Sequence, residues 1–187
     1  KEDYNILKSL RAHGWDRELS KKNIQNFNFI NEGFNLRPLE ISAAIGLNQF
    51  KRLKKLKSVR TKNRNKLIKS LISSNKWNNQ FSFFHPQKNL DPSWFGFPLL
   101  LNKNHASKKN KLLKYLKKNK IETRPIISGN FANQPAIKKY NINFKKKELK
   151  NSQQIEDRGF FIGLPTEILD KIKINKITNL LLNVNNL

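Results

Sequence analysis

The stretch that decides the fold of this chain is Gly33-Phe34-Asn35-Leu36-Arg37-Pro38-Leu39-Glu40-Ile41-Ser42-Ala43-Ala44-Ile45-Gly46. Pro38 stands where a helix can begin, because the N–H that proline lacks would have no partner in the first turn. Glu40 falls in that first turn, where the positive end of the helix dipole favours a carboxylate. The stretch therefore predicts a loop that ends near Pro38 and a helix that starts there.

This helix is predicted to run to about Leu71. Its apolar residues recur mostly three and four positions apart; they are Ile45, Leu47, Phe50, Leu53, Leu56, Val59, Leu67, Ile68 and Leu71. Lys and Arg occupy most of the opposite face, and the stripe is too irregular for the sustained heptads of a coiled coil. Such length indicates an inter-domain helix over residues 39–73.

Upstream of this helix, residues 4–13 read as a short amphipathic helix that ends at Gly14. Residues 15–36 are polar, aromatic and irregular, and a loop of this length is usually functional or disordered. Its aromatic residues, Phe27, Phe29 and Phe34 among them, favour an ordered loop. We expect residues 1–50 to be part of a large domain.

Downstream, strands and helices alternate, which predicts a small α/β domain over residues 75–187. The predicted strands are Phe81–Phe84, Phe95–Leu101, Ile121–Ile127 and Gly159–Leu164, and the predicted helices include Lys108–Lys118 and Glu167–Leu182. Pro125 near the end of the third strand indicates an edge strand. The polar tail Asn183–Leu187 is expected to fray.

Composition limits the function. The chain has 187 residues and a net charge of +25, which first suggests nucleic acid as a partner. The lysines are spread along the whole chain together with abundant asparagine, so a compositional drift at exposed positions explains the charge better than a dedicated phosphate-binding face.

No cysteine is present, which excludes disulfides, thiolate catalysis and Cys-ligated metals here and favours a cytoplasmic protein. No apolar run approaches the length of a membrane span.

Single residues in loops are the candidates for binding. Arg17 and Arg124 each carry a guanidinium that can grip phosphate oxygens with paired hydrogen bonds, although either could be an ordinary surface arginine. Asn35 could be a turn residue or could donate its amide to a ligand. The three histidines lack metal-ligand spacing, and no metal site is expected.

Taken together, these motifs resemble the vitamin-B6-dependent sugar aminotransferase family, whose fold is that of aspartate aminotransferase. Residues 33–46 match the family's hallmark segment. Three further motifs resemble its nucleotide-sugar 3-dehydratase branch: Ser93-Trp94-Phe95-Gly96-Phe97, Arg124-Pro125 with Gly129-Asn130-Phe131, and Gly159-Phe160-Phe161-Ile162-Gly163. Arg11-Ala12-His13-Gly14-Trp15 is most similar to the members that act on GDP-4-keto-6-deoxymannose. The resemblance covers the whole chain and implies the C-terminal part of that fold.

The resemblance also implies a set of partners and roles. The cofactor would be pyridoxal 5'-phosphate or pyridoxamine 5'-phosphate, with glutamate as amino donor, and the C3 hydroxyl of a 4-keto-6-deoxyhexose nucleotide would be removed in dideoxysugar or O-antigen biosynthesis. The enzyme would be a homodimer with shared active sites. Asn35 would reach across the dimer to the cofactor phosphate, and Arg17, Phe27 and Arg124 would bind the nucleotide-sugar. The catalytic base would precede Lys1, so no catalytic residue is assigned, and the fragment alone would be inactive.

Three alternatives remain open from the sequence. A sugar aminotransferase would act on the same kind of keto-sugar nucleotide and make an aminosugar. A basic nucleic-acid-binding module would bind DNA or RNA tightly and with strong salt dependence. A non-catalytic remnant of a split gene would keep the motifs without the activity.

Overall fold

The computed structural model of this chain describes residues 1–19, 28–140 and 142–187. Its α-helices and β-strands are, in order, α1 (Glu2–Leu10), α2 (Glu40–Ile72), β1 (Phe81–Phe83), β2 (Gly96–Leu101), α3 (Lys109–Lys118), β3 (Thr123–Arg124), α4 (Pro135–Lys139), α5 (Lys150–Arg158), β4 (Gly159–Gly163) and α6 (Lys171–Leu182). The chain divides into two compact units, Lys1–Arg52 and Leu53–Leu187.

In the first unit, the segment after α1 pairs with the segment that precedes α2. Isolated antiparallel bridges join Ala12 to Asn35 and Trp15 to Phe29. Two glycines permit this close approach. A Cβ on Gly14, whose φ is +79°, would lie 1.6 Å from the Asn31 carbonyl oxygen, and one on Gly33 would lie 2.0 Å from the Gly14 nitrogen. The predicted irregular loop is therefore tied back onto the end of α1.

In the described part of the chain, the apolar side chains on the first half of α2 are exposed to solvent. Side chains that share this exposure are Ile41, Ile45, Leu47 and Phe50, with Phe50 at 72%. From Val59 onward the same stripe is buried, and it includes Leu67 and Leu71. The predicted apolar stripe thus packs only along its second half, which belongs to the second unit.

The second unit is built on a four-stranded sheet in the order β1-β2-β4-β3. All three pairings are antiparallel; Phe97 lies opposite Ile162, and Thr123 also lies opposite Ile162 from the other side. Along β2, burial alternates strictly, because successive side chains of a strand point to opposite faces. One face of the sheet therefore forms the core, and the other lies less deeply buried.

The core of the second unit joins that sheet face to helices. Its fully buried large side chains include Phe97, Phe160, Leu67, Leu71, Leu99, Leu101, Leu112, Leu116 and Leu181. They come from β2, β4, α2, α3 and α6. Helices on one face of an antiparallel sheet are a stable two-layer arrangement.

Two predicted elements differ most from their expected bounds. The strand expected over Ile121–Ile127 is only Thr123–Arg124, at the sheet edge beside β4. Pro125 has no N–H for a ladder bond, and Ile127 adopts φ +51°, which turns the chain away. The helix expected from Glu167 begins at Lys171, because the Asp170 carboxylate accepts a hydrogen bond from the Lys173 N–H at 2.8 Å and caps the helix there.

The expectation that the tail frays was wrong. Asn183–Asn186 forms a 3-10 helix, and Val184 within it is fully buried. The Lys108 ammonium donates hydrogen bonds to the carbonyls of Val184 and Asn185 at 3.1 and 3.0 Å. One apolar residue and a lysine from a distant helix therefore hold the last turn in place.

Candidate functional site

Arg124 lies on the edge strand β3 beside a carboxylate that sequence reasoning missed. Its Nε and one terminal nitrogen lie 3.0 and 2.9 Å from the same carboxylate oxygen of Glu122. Residues two apart on a strand share a face, so the spacing Glu122–Arg124 was the signal that could have revealed the pair. Both side chains are exposed, so the ion pair positions the guanidinium more than it stabilises the fold.

A cavity of about 370 Å³ opens beside this pair, wholly within the second unit. Its walls combine charged groups from three elements with aromatic rings; they include Arg60, Lys120, Glu122, Arg124, Phe95 and Phe161. The two rings meet edge to face, with centroids 6.0 Å apart. Such a cavity, with apolar walls and a few convergent charges, is suited to an anionic ligand that has an apolar part.

The aromatic wall is supported from α2. The Arg64 guanidinium stacks over Trp94 with its carbon 4.1 Å from the ring centroid, and it donates to the Phe84 carbonyl. Burial lowers the pKa of Arg64 from its ordinary value, yet an arginine remains protonated in proteins. Arg64 therefore acts as a buried cationic brace for the segment that carries Phe95.

Arg17 lies in the first unit, in a short 3-10 helix of residues Asp16–Glu18. Its guanidinium carbon is 5.2 Å from the Trp15 ring centroid, and its side chain is exposed. Its neighbour Glu18 accepts a hydrogen bond from Arg11, and this bond lowers the pKa of Glu18 and raises that of Arg11. Glu18 is thus paired with Arg11, and the Arg17 guanidinium contacts the Trp15 ring.

Asn35 is held by its backbone while its side chain is exposed. It bridges Ala12, and the flanking bonds run from the His13 N–H to the Phe34 carbonyl at 3.0 Å and from the Leu36 N–H to the Arg11 carbonyl at 2.9 Å. Because the backbone of Asn35 is held and its side-chain amide is exposed, the amide N–H groups can donate to an oxygen atom of a ligand.

The structure therefore places the predicted residues in two groups. Arg17 and Asn35 belong to the first unit and Arg124 to the second, while Phe27 lies outside the described residues. Reasoning from the sequence missed Arg60, Lys120 and Phe161, since only the folded chain brings them to one cavity. Among residues 1–19, 28–140 and 142–187, no group of three or more His, Cys, Asp or Glu side chains could hold a metal ion.

Comparison with known proteins identifies the class. The fold is that of the PLP-dependent sugar aminotransferases and sugar dehydratases, at TM-scores of 0.78 for two crystal structures of GDP-4-keto-6-deoxymannose 3-dehydratase. One of those is a variant with bound GDP-perosamine, 30% identical, and the other holds a trapped PLP–glutamate geminal diamine, 31% identical. Each comparison covers 95% of this chain and 47% of the solved one.

Residues 1–180 match the DegT/DnrJ/EryC1/StrS aminotransferase family, and the chain belongs to that family. It is 33% identical to the GDP-4-keto-6-deoxy-D-mannose 3-dehydratase of Escherichia coli O55:H7 over 183 residues, which are 91% of this chain and 46% of that enzyme. The chain spans about half the length of the curated relatives it matches. In the part of the chain that the structure describes, no helix is long and apolar enough to cross a membrane.

Proposed function

We propose that this chain is part of a nucleotide-sugar 3-dehydratase that removes the C3 hydroxyl of a 4-keto-6-deoxyhexose nucleotide. The observation that carries the proposal is the identity of 30–33% with GDP-4-keto-6-deoxymannose 3-dehydratases over more than nine-tenths of the chain. The cofactor, pyridoxamine or pyridoxal 5'-phosphate, would supply the electron sink and the amino group that this chemistry needs. Glutamate would restore the amino group.

Asn35 fits a role at the cofactor phosphate. Its amide is a hydrogen-bond donor whose backbone is fixed by the bridge to Ala12 and whose tip is exposed. A phosphate oxygen is an acceptor that such an amide can bind without further rearrangement. We propose that Asn35 holds the phosphate of a cofactor bound mainly by the partner subunit of a homodimer.

Arg124, Arg17 and Phe27 are proposed to bind the nucleotide-sugar. Glu122 orients the Arg124 guanidinium at the mouth of the cavity, and a guanidinium binds phosphate oxygens in a paired geometry. Arg17, resting on Trp15, offers a second cation to the same class of substrate.

The exposed apolar residues at the start of α2 support the proposal that a second protein surface covers them in the assembled enzyme. Contiguous exposed apolar side chains mark a surface that another protein surface covers. We propose that the shared active sites of a homodimer form around this part of the chain, and that the enzyme works in the cytoplasm on a soluble nucleotide-sugar.

The activity is tested on the full-length protein with the GDP-linked 4-keto-6-deoxy sugar, the cofactor and glutamate. We expect a 3-deoxy-4-keto sugar nucleotide lacking one oxygen, with ammonia and 2-oxoglutarate released together. A product that instead carries a new amino nitrogen would make the enzyme an aminotransferase. No turnover of any keto-sugar nucleotide would refute the proposal.

The residue roles are tested by two substitutions in the same protein. We expect Asn35→Ala to weaken cofactor retention during dialysis, measured by absorbance, and Arg124→Ala to raise KM for the nucleotide-sugar more than it lowers kcat. Asn110→Ala and Arg52→Ala remove the same side chains from exposed helical positions and serve as controls. If each variant behaves like its control, the assignments are wrong.

The partner is proposed to be a nucleotide-sugar and no nucleic acid. The net charge of +25 predicts some weak attraction to DNA that vanishes as salt rises. Binding to DNA or RNA that is tight and sequence-dependent at physiological salt would favour the nucleic-acid-binding alternative instead.

A further inference from the structure

We propose that Arg60 and Lys120 bind a phosphate group of the nucleotide-sugar in the cavity that Arg124 lines. The inference rests on the proposed function, and it adds two residues from elements that the sequence motifs do not include. Arg60 comes from α2 and Lys120 from the turn that follows α3, and both contribute to the cavity wall beside β3.

Arg60 is a cation with an unused donor at this cavity. Its Nε is buried and has no hydrogen-bond partner within the described part of the chain. Its guanidinium carbon lies 5.9 Å from the Phe95 ring centroid, so an aromatic face restrains it without satisfying its N–H groups. A buried unsatisfied donor carries a free-energy cost unless a ligand or water accepts its hydrogen bond.

Arg64, one turn further along α2, shows what a purely structural arginine looks like here. Its terminal nitrogens donate to the Phe84 carbonyl and to the Asn65 side chain. Among the described residues, Arg60 makes no corresponding bond to the protein. The Nε of Arg64 is also buried without a partner, so the two arginines differ in the hydrogen bonds of their terminal nitrogens and in position. Arg60 lines the cavity and Arg64 does not.

The charge balance of the cavity favours an anion. Arg60, Lys120 and Arg124 face it with one carboxylate, Glu122, which is already engaged by Arg124. A cleft with an excess of one charge attracts ligands of the opposite charge. Phosphate is the anion that the proposed substrate carries.

Lys120 occupies a backbone position where a side chain is costly. Its φ is +63°, directly after α3. The Ile121 N–H bonds to the Leu116 carbonyl at 2.9 Å, and the Lys120 N–H bonds to the Lys117 carbonyl at 3.0 Å. This is the Schellman arrangement, in which glycine is the usual residue because it adopts positive φ without strain. The turn would form with glycine at this position, so the lysine side chain is not required by the turn. Its ammonium group adds a positive charge to the cavity wall.

The experiment measures binding of GDP, guanosine and inorganic phosphate to the full-length protein by titration calorimetry at fixed ionic strength. We expect Arg60→Gln to weaken GDP binding about 10-fold or more, since it removes a charge-assisted hydrogen bond, and to leave guanosine binding unchanged. Arg60→Lys should recover part of the loss. Lys62→Gln, which removes a positive charge from an exposed position of the same helix within the second unit, should bind GDP like the wild type.

Lys120→Gly separates binding from folding. We expect weaker GDP binding together with a Tm equal to or above that of the wild type, because glycine relieves the positive φ. GDP affinity unchanged in both Arg60→Gln and Lys120→Gly would overturn the inference and leave the proposed function standing. Inorganic phosphate bound as tightly as GDP would also overturn it, since the cavity would then be a free-anion site. A wild-type protein that binds no GDP would refute the proposed function itself.

Discussion

Asn63 provides the sharpest test of how α2 supports the second unit. It is a fully buried amide on a helix whose other buried side chains include Val59, Leu67 and Leu71. Its Nδ2 donates to the carbonyls of Pro165 and Glu167 at 3.2 and 2.7 Å, and its Oδ1 accepts from the Leu169 N–H at 2.9 Å. One side chain thus fixes the segment between β4 and α6.

The expected cost of removing this amide follows from its three hydrogen bonds. Asn63→Ala leaves two carbonyls and one N–H without their partner, and each bond contributes about 1 kcal/mol net. The free energy of unfolding should therefore fall by about 3 kcal/mol, with the buried Leu169 N–H accounting for the largest share. Asn63→Asp keeps that acceptor but sets a carboxylate against two carbonyls, so at neutral pH it should destabilise at least as much.

The assay is urea unfolding followed by circular dichroism, with amide exchange at Leu169 as the local measurement. Asn110→Ala is the matched control, because it removes the same side chain from an exposed helical position of the second unit. It should change the free energy by no more than about 0.5 kcal/mol. If Asn63→Ala falls within that same margin and Leu169 stays protected, then the amide does not hold the segment and the reasoning fails.

Other predictions concern the core, the tail and the first unit. Leu112→Ala, at a fully buried position, should cost about 2–5 kcal/mol in urea unfolding, and a smaller loss would mean that α3 is loosely packed. Deletion of residues 183–187 should lower Tm, because Val184 leaves the core; an unchanged Tm would show that the last turn is dispensable. Since Arg11 lowers the pKa of Glu18 in the folded state, their pair should stabilise the first unit above the unfolded pKa of Glu18 and lose that effect as pH falls through the lowered one. The protection factors of amides near Glu18, which correct for the pH dependence of intrinsic exchange, should therefore fall at acid pH, and Glu18→Gln should abolish that dependence.

Most of the local structure could be predicted because it follows from short-range patterns. The helix over Glu40–Ile72 was expected from Pro38, Glu40 and a repeat of apolar residues, and the strand β2 was expected from the apolar run Phe95–Leu101. Such signals depend on neighbours in sequence, so they survive without knowledge of the fold. The α/β class follows from the alternation of these elements.

The errors arise where distant residues decide the outcome. The tail was expected to fray because it is polar, but Val184 reaches the core and Lys108 holds the carbonyls beside it. The buried role of Asn63 was not predicted, because its hydrogen-bond partners lie about a hundred positions away. Contacts between residues so far apart in sequence produce no periodic pattern of apolar and polar residues from which they could be predicted.

The candidate site shows the same limit for charge. Thirty-eight lysines and arginines make any single cation uninformative, so composition could not have separated Arg60 from its neighbours. Its position on the cavity wall separates it from Arg64, whose Nε is likewise buried without a partner but which does not line that cavity, and this position is a property of the folded chain. Arg124 could be found earlier because a motif surrounds it. The basic character of this protein therefore indicates function only where the fold brings several cations to one cavity with fewer carboxylates than cations.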